Sequence, residues 1–349
     1  MRAADHTPKP GGEVPRAPED RRQQVALVIP LYNEEEVLPL LIERIEAFRA
    51  VCPDVSEVVL VDDGSTDGTA RLVQSLTAGR PGYVLLRFSR NFGHQLAITA
   101  GMHCVTADAA VILDADLQDP LEVVPRMIAK WREGYDVVYG VRRARTGDAP
   151  LKKWTARLYY RLFQRLTEVD APLDAGDFRL VSRPVLEAYR QIGEQQPYVR
   201  GLIAWLGFNQ TGVVYDRPPR AAGQSKYPLR KSLKLALDGL ASFSGRPLRY
   251  AVRLGLAVAA LSVAGLVWVL LAKYVFHNTV PGWSSLIFVA FFFGGMQLFF
   301  LGIVGSYLAR VYDEVKARPR YIIRERWCSA PEVEADEGAS RPLFSRETS

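Results

Sequence analysis

The sequence predicts an α/β protein: a mostly parallel sheet clothed by helices, followed by an interfacial amphipathic helix and two membrane-crossing helices. Three observations predict it. From Val25 onward short apolar runs alternate with longer amphipathic ones, two later runs carry no charged residue over a length that spans a bilayer, and the stretch just ahead of them is overwhelmingly basic.

The elements follow in chain order. Residues 1–22 are rich in Pro, Gly and charge without an apolar segment, which predicts a disordered tail and no signal peptide. From 23 to 228 a single α/β domain is expected. VALVIP, EVVLVD, YVLLRF, AAVIL and DVVYG read as strands, with EEVLPLLIERIEAFRAV, HQLAITAGMHCV and LEVVPRMIAKW as helices between them. Near-continuous Val, Ile and Leu in the strands imply burial on both faces, as in a parallel sheet. LKKWTARLYYRLFQRLTEV then repeats apolar residues every four positions beside Lys153, Arg157, Arg161 and Arg165. Such a stripe suits either a solvated face or a membrane surface.

Residues 229–250 hold SLKLALDGLASFS within a region where nine cations, from Arg217 to Arg253, face Asp238 alone, so an interfacial helix is expected there. Residues 251–312 contain the two uncharged runs, Leu254 to Ala272 and Trp283 to Ala309, each long enough for a hydrocarbon layer of about 30 Å. Cations flank the pair on its outer sides, which predicts a cytoplasmic membrane protein with both termini in the cytoplasm. Residues 313–349 read as a cytoplasmic basic segment and an acidic tail.

The 44 basic and 38 acidic residues leave a net charge of +6. That excess sits at the predicted bilayer, so no nucleic acid partner is expected. Three scattered cysteines, Cys52, Cys104 and Cys328, fit a reducing compartment and no disulfide framework.

In open α/β sheets ligands bind beyond the carboxyl ends of the strands. There the chain is acidic: Tyr32, Asn33 and Glu34 follow the first run, Asp62 and Asp63 the second, Asp114 and Asp116 the fourth. PLYNEEE has no glycine and would repel a pyrophosphate approaching directly, which argues against a dinucleotide site. Carboxylates facing a basic membrane surface suit Mg²⁺ or Mn²⁺ on a phosphorylated ligand, with Asp114, Asp116 and the Gln118 carbonyl as metal ligands. Asp119, Pro120 and Glu122 read as the capped start of a helix, and Asp67 with Gly68 as another, Gly64 permitting the turn before it.

VIPLYNEEE, VDDGSTDGT, RNFGHQ, DADLQDP, DAGDFRLVSR, RGLIAWLGFNQ, GQSKYPLRK and SFSGRPLR, in this order, resemble the family-two glycosyltransferases that act on polyprenyl phosphate. The bactoprenol-phosphate glucosyltransferases are the nearer likeness and dolichyl-phosphate mannose synthase a more distant one; the likeness runs from about Val25 to Tyr321. It implies a glycosyltransferase-A type fold, a nucleotide diphosphate sugar as donor, polyprenyl phosphate as acceptor, and a homo-oligomer such as a tetramer. It implies that Pro30, Tyr32, Glu34 and Asp63 contact the nucleotide and that Arg90 and Asn91 lie near it. Asn33, Asp62 and Asp114 complete that donor set, and Asp114, Asp116 and Gln118 would hold the diphosphate through the metal.

A lipid phosphate is ionised at neutral pH, its second pKa being about 6, so the acceptor needs cations more than a base. Arg142, Arg179, Arg217, Arg220 and Lys226 are the candidates, with Ser225 in a mobile loop. Asp174 and Asp177 could act as a base or orient Arg179, orientation being the favoured role; Asp116, Asp177, Arg179 and Lys226 form the expected catalytic group. Relatives commonly carry a glutamate near the exit of the second span; this chain has Ser306 and Ala309 there. Three rivals compete with this reading: a processive synthase, an acidic signalling domain and a non-catalytic scaffold. A synthase would carry more spans and a QxxRW signature, which this chain lacks.

Overall fold

The computed structural model describes residues 23–142, 175–216 and 282–329, together with isolated helical positions 255, 264, 268 and 271. The expected tail 1–22, the basic amphipathic stretch 151–169, Asp174, Arg217, Arg220, Ser225, Lys226, the interfacial region 229–250 and nearly all of the first span lie outside the described residues.

The strands are β1 (Val25–Leu31), β2 (Val55–Asp62), β3 (Tyr83–Phe88), β4 (Ala109–Ile112), β5 (Val137–Arg142), β6 (Ala175–Ser182), β7 (Gln210–Tyr215) and β8 (Ile323–Cys328). The described helices are α1 (Leu38–Val51), α2 (Thr69–Thr77), α3 (His94–Cys104), α4 (Val124–Arg132), α5 (Arg183–Arg190), α6 (Val199–Trp205) and α7 (Trp283–Lys316).

The strands form one sheet in the order β7-β5-β6-β4-β1-β2-β3-β8, in which β6 and β8 run against the others. The expectation of a mostly parallel α/β sheet therefore holds. β1 lies at its centre and is buried throughout, and its residues alternate between two cores. Val25, Leu27, Ile29 and Leu31 pack under α1, α2 and α4, whereas Ala26 and Val28 pack under α3, α5 and α6. Apolar side chains on both faces of a strand are stable only between two helical layers.

The end of the chain differs from expectation. Residues 313–349 read as a basic segment and tail, yet Ile323–Cys328 form β8, antiparallel to β3 at the sheet edge. The alternating charges of IRERWC suit an edge strand, which is protected from further pairing by charge. Trp327 packs against the first core and Tyr321 stacks on Phe88 with ring centroids 5.2 Å apart. The backbone N–H of Gln195 donates to Glu314 at 2.9 Å and Arg320 donates to the Ile192 carbonyl at 2.8 Å. These contacts strap the foot of α7 to the α/β domain.

Helix α7 has 34 residues, about 51 Å at 1.5 Å per residue, and contains the whole expected second span. Leu286, Leu298, Leu301 and Leu308 on it are exposed by 64–70%. It is the one helix among the described residues long and apolar enough to cross a membrane. Ser306, in place of the expected carboxylate, donates back to the Ile303 carbonyl at 2.7 Å.

Candidate active site

Because β1, β2 and β4 are parallel neighbours, the loops that follow them open on one edge. β6 runs the other way, pairing Arg179 with Ile112, so its beginning reaches the same edge and sets Asp177 near Asp114. The ends of β5 and β7, Arg142 and Tyr215, arrive there as register partners. The N-terminus of α3 brings His94. Seven separate chain segments thus converge where the parallel strands end.

The loops after β1 and β2 are stitched to each other. Asn33, at φ 53°, donates its N–H to the Ser65 hydroxyl at 2.9 Å and accepts from the Thr66 N–H at 2.9 Å. Glu35 accepts from the Gly68 N–H and Asp67 from the Thr69 N–H, which together cap α2. Asp67 was expected in this role; Glu35 was not. Asp62, fully buried, accepts from the Ser65 N–H at 3.0 Å and lies 3.5 Å from the Arg87 guanidinium. Asp63 accepts from the Asn91 side chain and from the N–H groups of Phe92 and Gly93, at 2.7–3.2 Å. Burial raises its pKa against those donors. Gly64 sits at φ +68°, and a Cβ there would come within 2.3 Å of the Arg90 carbonyl carbon. Of the expected donor-contact residues, Asp62 and Asp63 therefore spend their carboxylates inside the protein, while Tyr32 is 45% exposed and Arg90 lies over the Phe92 ring at 4.0 Å. Pro30 is buried within β1.

The acidic loop is built differently from expectation. A 3-10 turn, Leu121–Val123, precedes α4, and its cap position is Pro120 rather than Asp119. Asp119 instead folds back: one carboxylate oxygen accepts the Asp114 N–H at 3.2 Å and the other the Tyr215 hydroxyl at 3.1 Å. Leu117 takes φ 58°, which lets the loop reverse, and the Gln118 N–H donates to Asp116 at 3.1 Å. The Gln118 residue is only 5% exposed.

His94 was missed at the sequence level. Its Nε2 lies 3.6 Å from Asp114 and 3.4 Å from Asp177, and the Arg200 guanidinium lies 3.6 Å from the other oxygen of Asp177. The Gln95 amide donates to Asp177 at 3.4 Å and its carbonyl oxygen accepts the Val199 N–H. RNFGHQ thus acts through His94 and Gln95 as much as through Arg90 and Asn91. Burial raises Asp114 to about 6, with His94 opposing and Asp119, Asp177 and Asp116 reinforcing. Burial would also raise Asp177, but the His94 hydrogen bond and the Arg200 charge hold it well below the usual carboxylate range. Burial would lower His94, yet Asp177 and Asp114 raise it above its ordinary value. Arg179 is buried on β6, donates to the Gly176 carbonyl at 2.8 Å, and is lowered to about 10 by burial.

Asp62 Oδ2, Asp114 Oδ1 and Asp177 Oδ1 are buried without a hydrogen-bond donor, and Arg87, His94 and Arg200 stand 3.5–3.6 Å from them in that order. Charged oxygens left so are costly unless positive charge approaches them. Among the described residues no group of three or more His, Cys, Asp or Glu has metal-holding geometry. A hard divalent cation needs only one or two carboxylates when phosphate and water complete its shell, and the undonated oxygen of Asp114 fits that use.

The profile of glycosyl transferase family 2 matches residues 26–190. The uncharacterized glycosyltransferase YkcC of Bacillus subtilis (strain 168) is 43% identical over 307 residues, 88% of this chain and 95% of its own. The bactoprenol glucosyl transferase of Shigella phage SfX is 39% identical over 303 residues, 87% of this chain and 99% of its own. A glucosyl-3-phosphoglycerate synthase from Mycobacterium tuberculosis, solved with Mn²⁺, UDP-glucose and phosphoglyceric acid, is 19% identical with a TM-score of 0.42. That likeness covers 63% of this chain and 78% of the synthase.

Proposed function

The chain belongs to glycosyl transferase family 2, and on that premise we propose that it moves one hexose, glucose first among the candidates, from a nucleotide diphosphate to a polyprenyl phosphate at the cytoplasmic leaflet. The observation that carries this reading is the gathering of Asp116, Asp119 and Asp177 around Asp114 at the edge where the strands end, with one buried Asp114 oxygen that no hydrogen-bond donor reaches. The chain-long likeness to a bactoprenol glucosyl transferase supports the acceptor class, and the exposed apolar helix α7, strapped to the same domain, supports work at a bilayer.

In this reading Asp114 and Asp116, with Gln118 beside them, would hold Mg²⁺ or Mn²⁺ on the donor diphosphate. An ion bound there would supply positive charge against the negative charge that grows on the departing diphosphate. Tyr32, Asn33 and Glu34 line the nucleotide side; Asp62, Asp63, Arg90 and Asn91 shape its floor. Arg142 and Arg179, joined from outside the described residues by Arg217, Arg220, Ser225 and Lys226, hold the acceptor phosphate against repulsion from the donor. One phosphate oxygen of the acceptor forms a bond to the anomeric carbon as the bond from that carbon to the diphosphate breaks. The electron pair leaves with the nucleoside diphosphate, and the carbon inverts. No proton need move, since the attacking phosphate is already ionised. Asp177, paired with His94 and Arg200, orients these groups.

Purified protein, Mn²⁺, undecaprenyl phosphate and a panel of labelled nucleotide sugars test the proposal. Label should become lipid-extractable with a nucleotide diphosphate glucose; label moving from a mannose or amino-sugar donor would reassign the sugar within the same reaction. Failure of every donor would overturn the enzymatic reading.

A further inference from the structure

Tyr215 ends β7 beside its register partner Arg142. Its residue is 3% exposed, and its ring is set edge-on to Phe178 with centroids 5.4 Å apart. It also covers Gly140, where a Cβ would come within 2.7 Å of the ring. Packing of this kind fixes the ring and delivers the hydroxyl to one place. There the hydroxyl accepts from Arg142 Nε at 3.3 Å and donates to Asp119 at 3.1 Å. The direction has no alternative, because a guanidinium only donates and a carboxylate only accepts. The second oxygen of Asp119 accepts the Asp114 N–H.

A continuous tether thus runs from Arg142 through Tyr215 and Asp119 to the backbone of the acidic loop. Residues 113–120 of that loop have no helix or strand of their own, and Leu117 stands at positive φ, so tethers decide where Asp114 lies. The hydroxyl engages only the Nε–H of Arg142. The outer edge of the guanidinium lies across Gly176, where a Cβ would come within 2.8 Å of Nη2.

We propose that Tyr215 is a positioning residue: through Arg142 and Asp119 it sets the distance between the cation that receives the acceptor phosphate and the loop that meets the donor diphosphate. It touches neither substrate. The inference rests on the roles given above to Arg142 and Asp114. Two phosphate-bearing substrates repel, and their reacting atoms must come to about 3–3.5 Å, so a fixed spacing between their holders acts on the rate of transfer rather than on donor binding.

The test is Tyr215→Phe in the full-length protein in lipid nanodiscs, with undecaprenyl phosphate and the active nucleotide sugar. Loss of a hydrogen bond to charged partners should lower kcat about 10-fold or more, while KM for the nucleotide sugar changes less than about twofold. The retained ring should limit the fall in melting temperature to about 5 °C. Hydrogen exchange at the Asp114 amide should quicken about 10-fold. Arg142→Lys with Tyr215→Phe should cost no more than Arg142→Lys alone, since both act on one link. An unchanged kcat with Asp114 protection intact would overturn the proposal. So would equal losses in kcat, donor KM and melting temperature, which mark a packing residue. Exchange needs no substrate: if the wild type transfers no sugar, the functional reading falls, and the Asp114 amide alone then upholds or overturns the tether.

Discussion

Helix α3 carries a histidine near each end, and the fold treats the two in opposite ways. His94, in the first turn, lies between the carboxylates of Asp114 and Asp177, which raise its pKa although burial opposes them. His103, in the last turn, packs against the Tyr189 and Tyr321 rings with its Nδ1 3.1 Å from the Tyr321 hydroxyl. Burial, with Arg320 and Arg190 nearby, lowers its pKa to about 4. One side chain on one helix is drawn toward charge at the sheet's open edge and kept neutral at the other end. The difference lies in what folds over each: the loop after β4 and the start of β6 at the first, the strap after α7 at the second. Residue type alone does not mark a site.

The largest break in that contrast should come at the first end. Asp114→Asn is expected to lower transfer at least about a thousandfold, because on the proposed reading it removes a carboxylate that would hold the divalent cation on the donor diphosphate. Its melting temperature should not fall, since the carboxylate it replaces has an undonated buried oxygen. A radiolabel transfer assay beside a thermal melt reads both, and a parallel fall in the two would erase the proposed distinction.

Next comes the strap. Tyr321→Ala removes the stack on Phe88 and the partner of His103, and should cost about 2–4 kcal/mol of stability. Activity per folded molecule should persist, as measured by denaturant unfolding and by kcat normalised to folded protein.

The third effect is acid sensitivity. His103 binds its proton less readily folded than unfolded, so its contribution to stability is complete above about pH 6.5 and lost as pH falls toward 4. Melting temperatures measured from pH 7 to 4.5 should decline, and His103→Gln should flatten that decline. An unaltered slope in the variant would show that other groups set it.

The smallest is at His94. Replacement by Gln should reduce kcat about 10-fold and leave stability unchanged, since the side chain is 42% exposed and Asp177 keeps Arg200 and Gln95. A larger loss confined to donor KM would place His94 with the nucleotide instead.

The sequence by itself determined the order of strands and helices from Val25 to Arg142, the acidic character of the edge where the parallel strands end, and the apolar helix from Trp283. These are short-range properties: period, charge and length are written within a dozen residues of one another. Tertiary structure decided the rest. Asp119 read as a helix cap because its neighbours Pro120 and Glu122 suit one, but a hydroxyl 96 positions away captured it. Gln95 reaches Asp177 across 82 positions, and the β8 residue Glu325 accepts from Gln74 across 251. Asp62 and Asp63 were legible as acids after a strand, not as acids turned inward, because Asp63 takes its donors from the loop at Asn91–Gly93 and Asp62, besides the Ser65 N–H of its own turn, meets Arg87 of β3. A local pattern records which side chains a segment offers. Only the packed sheet, by bringing distant strand ends to one edge, decides which of them meet.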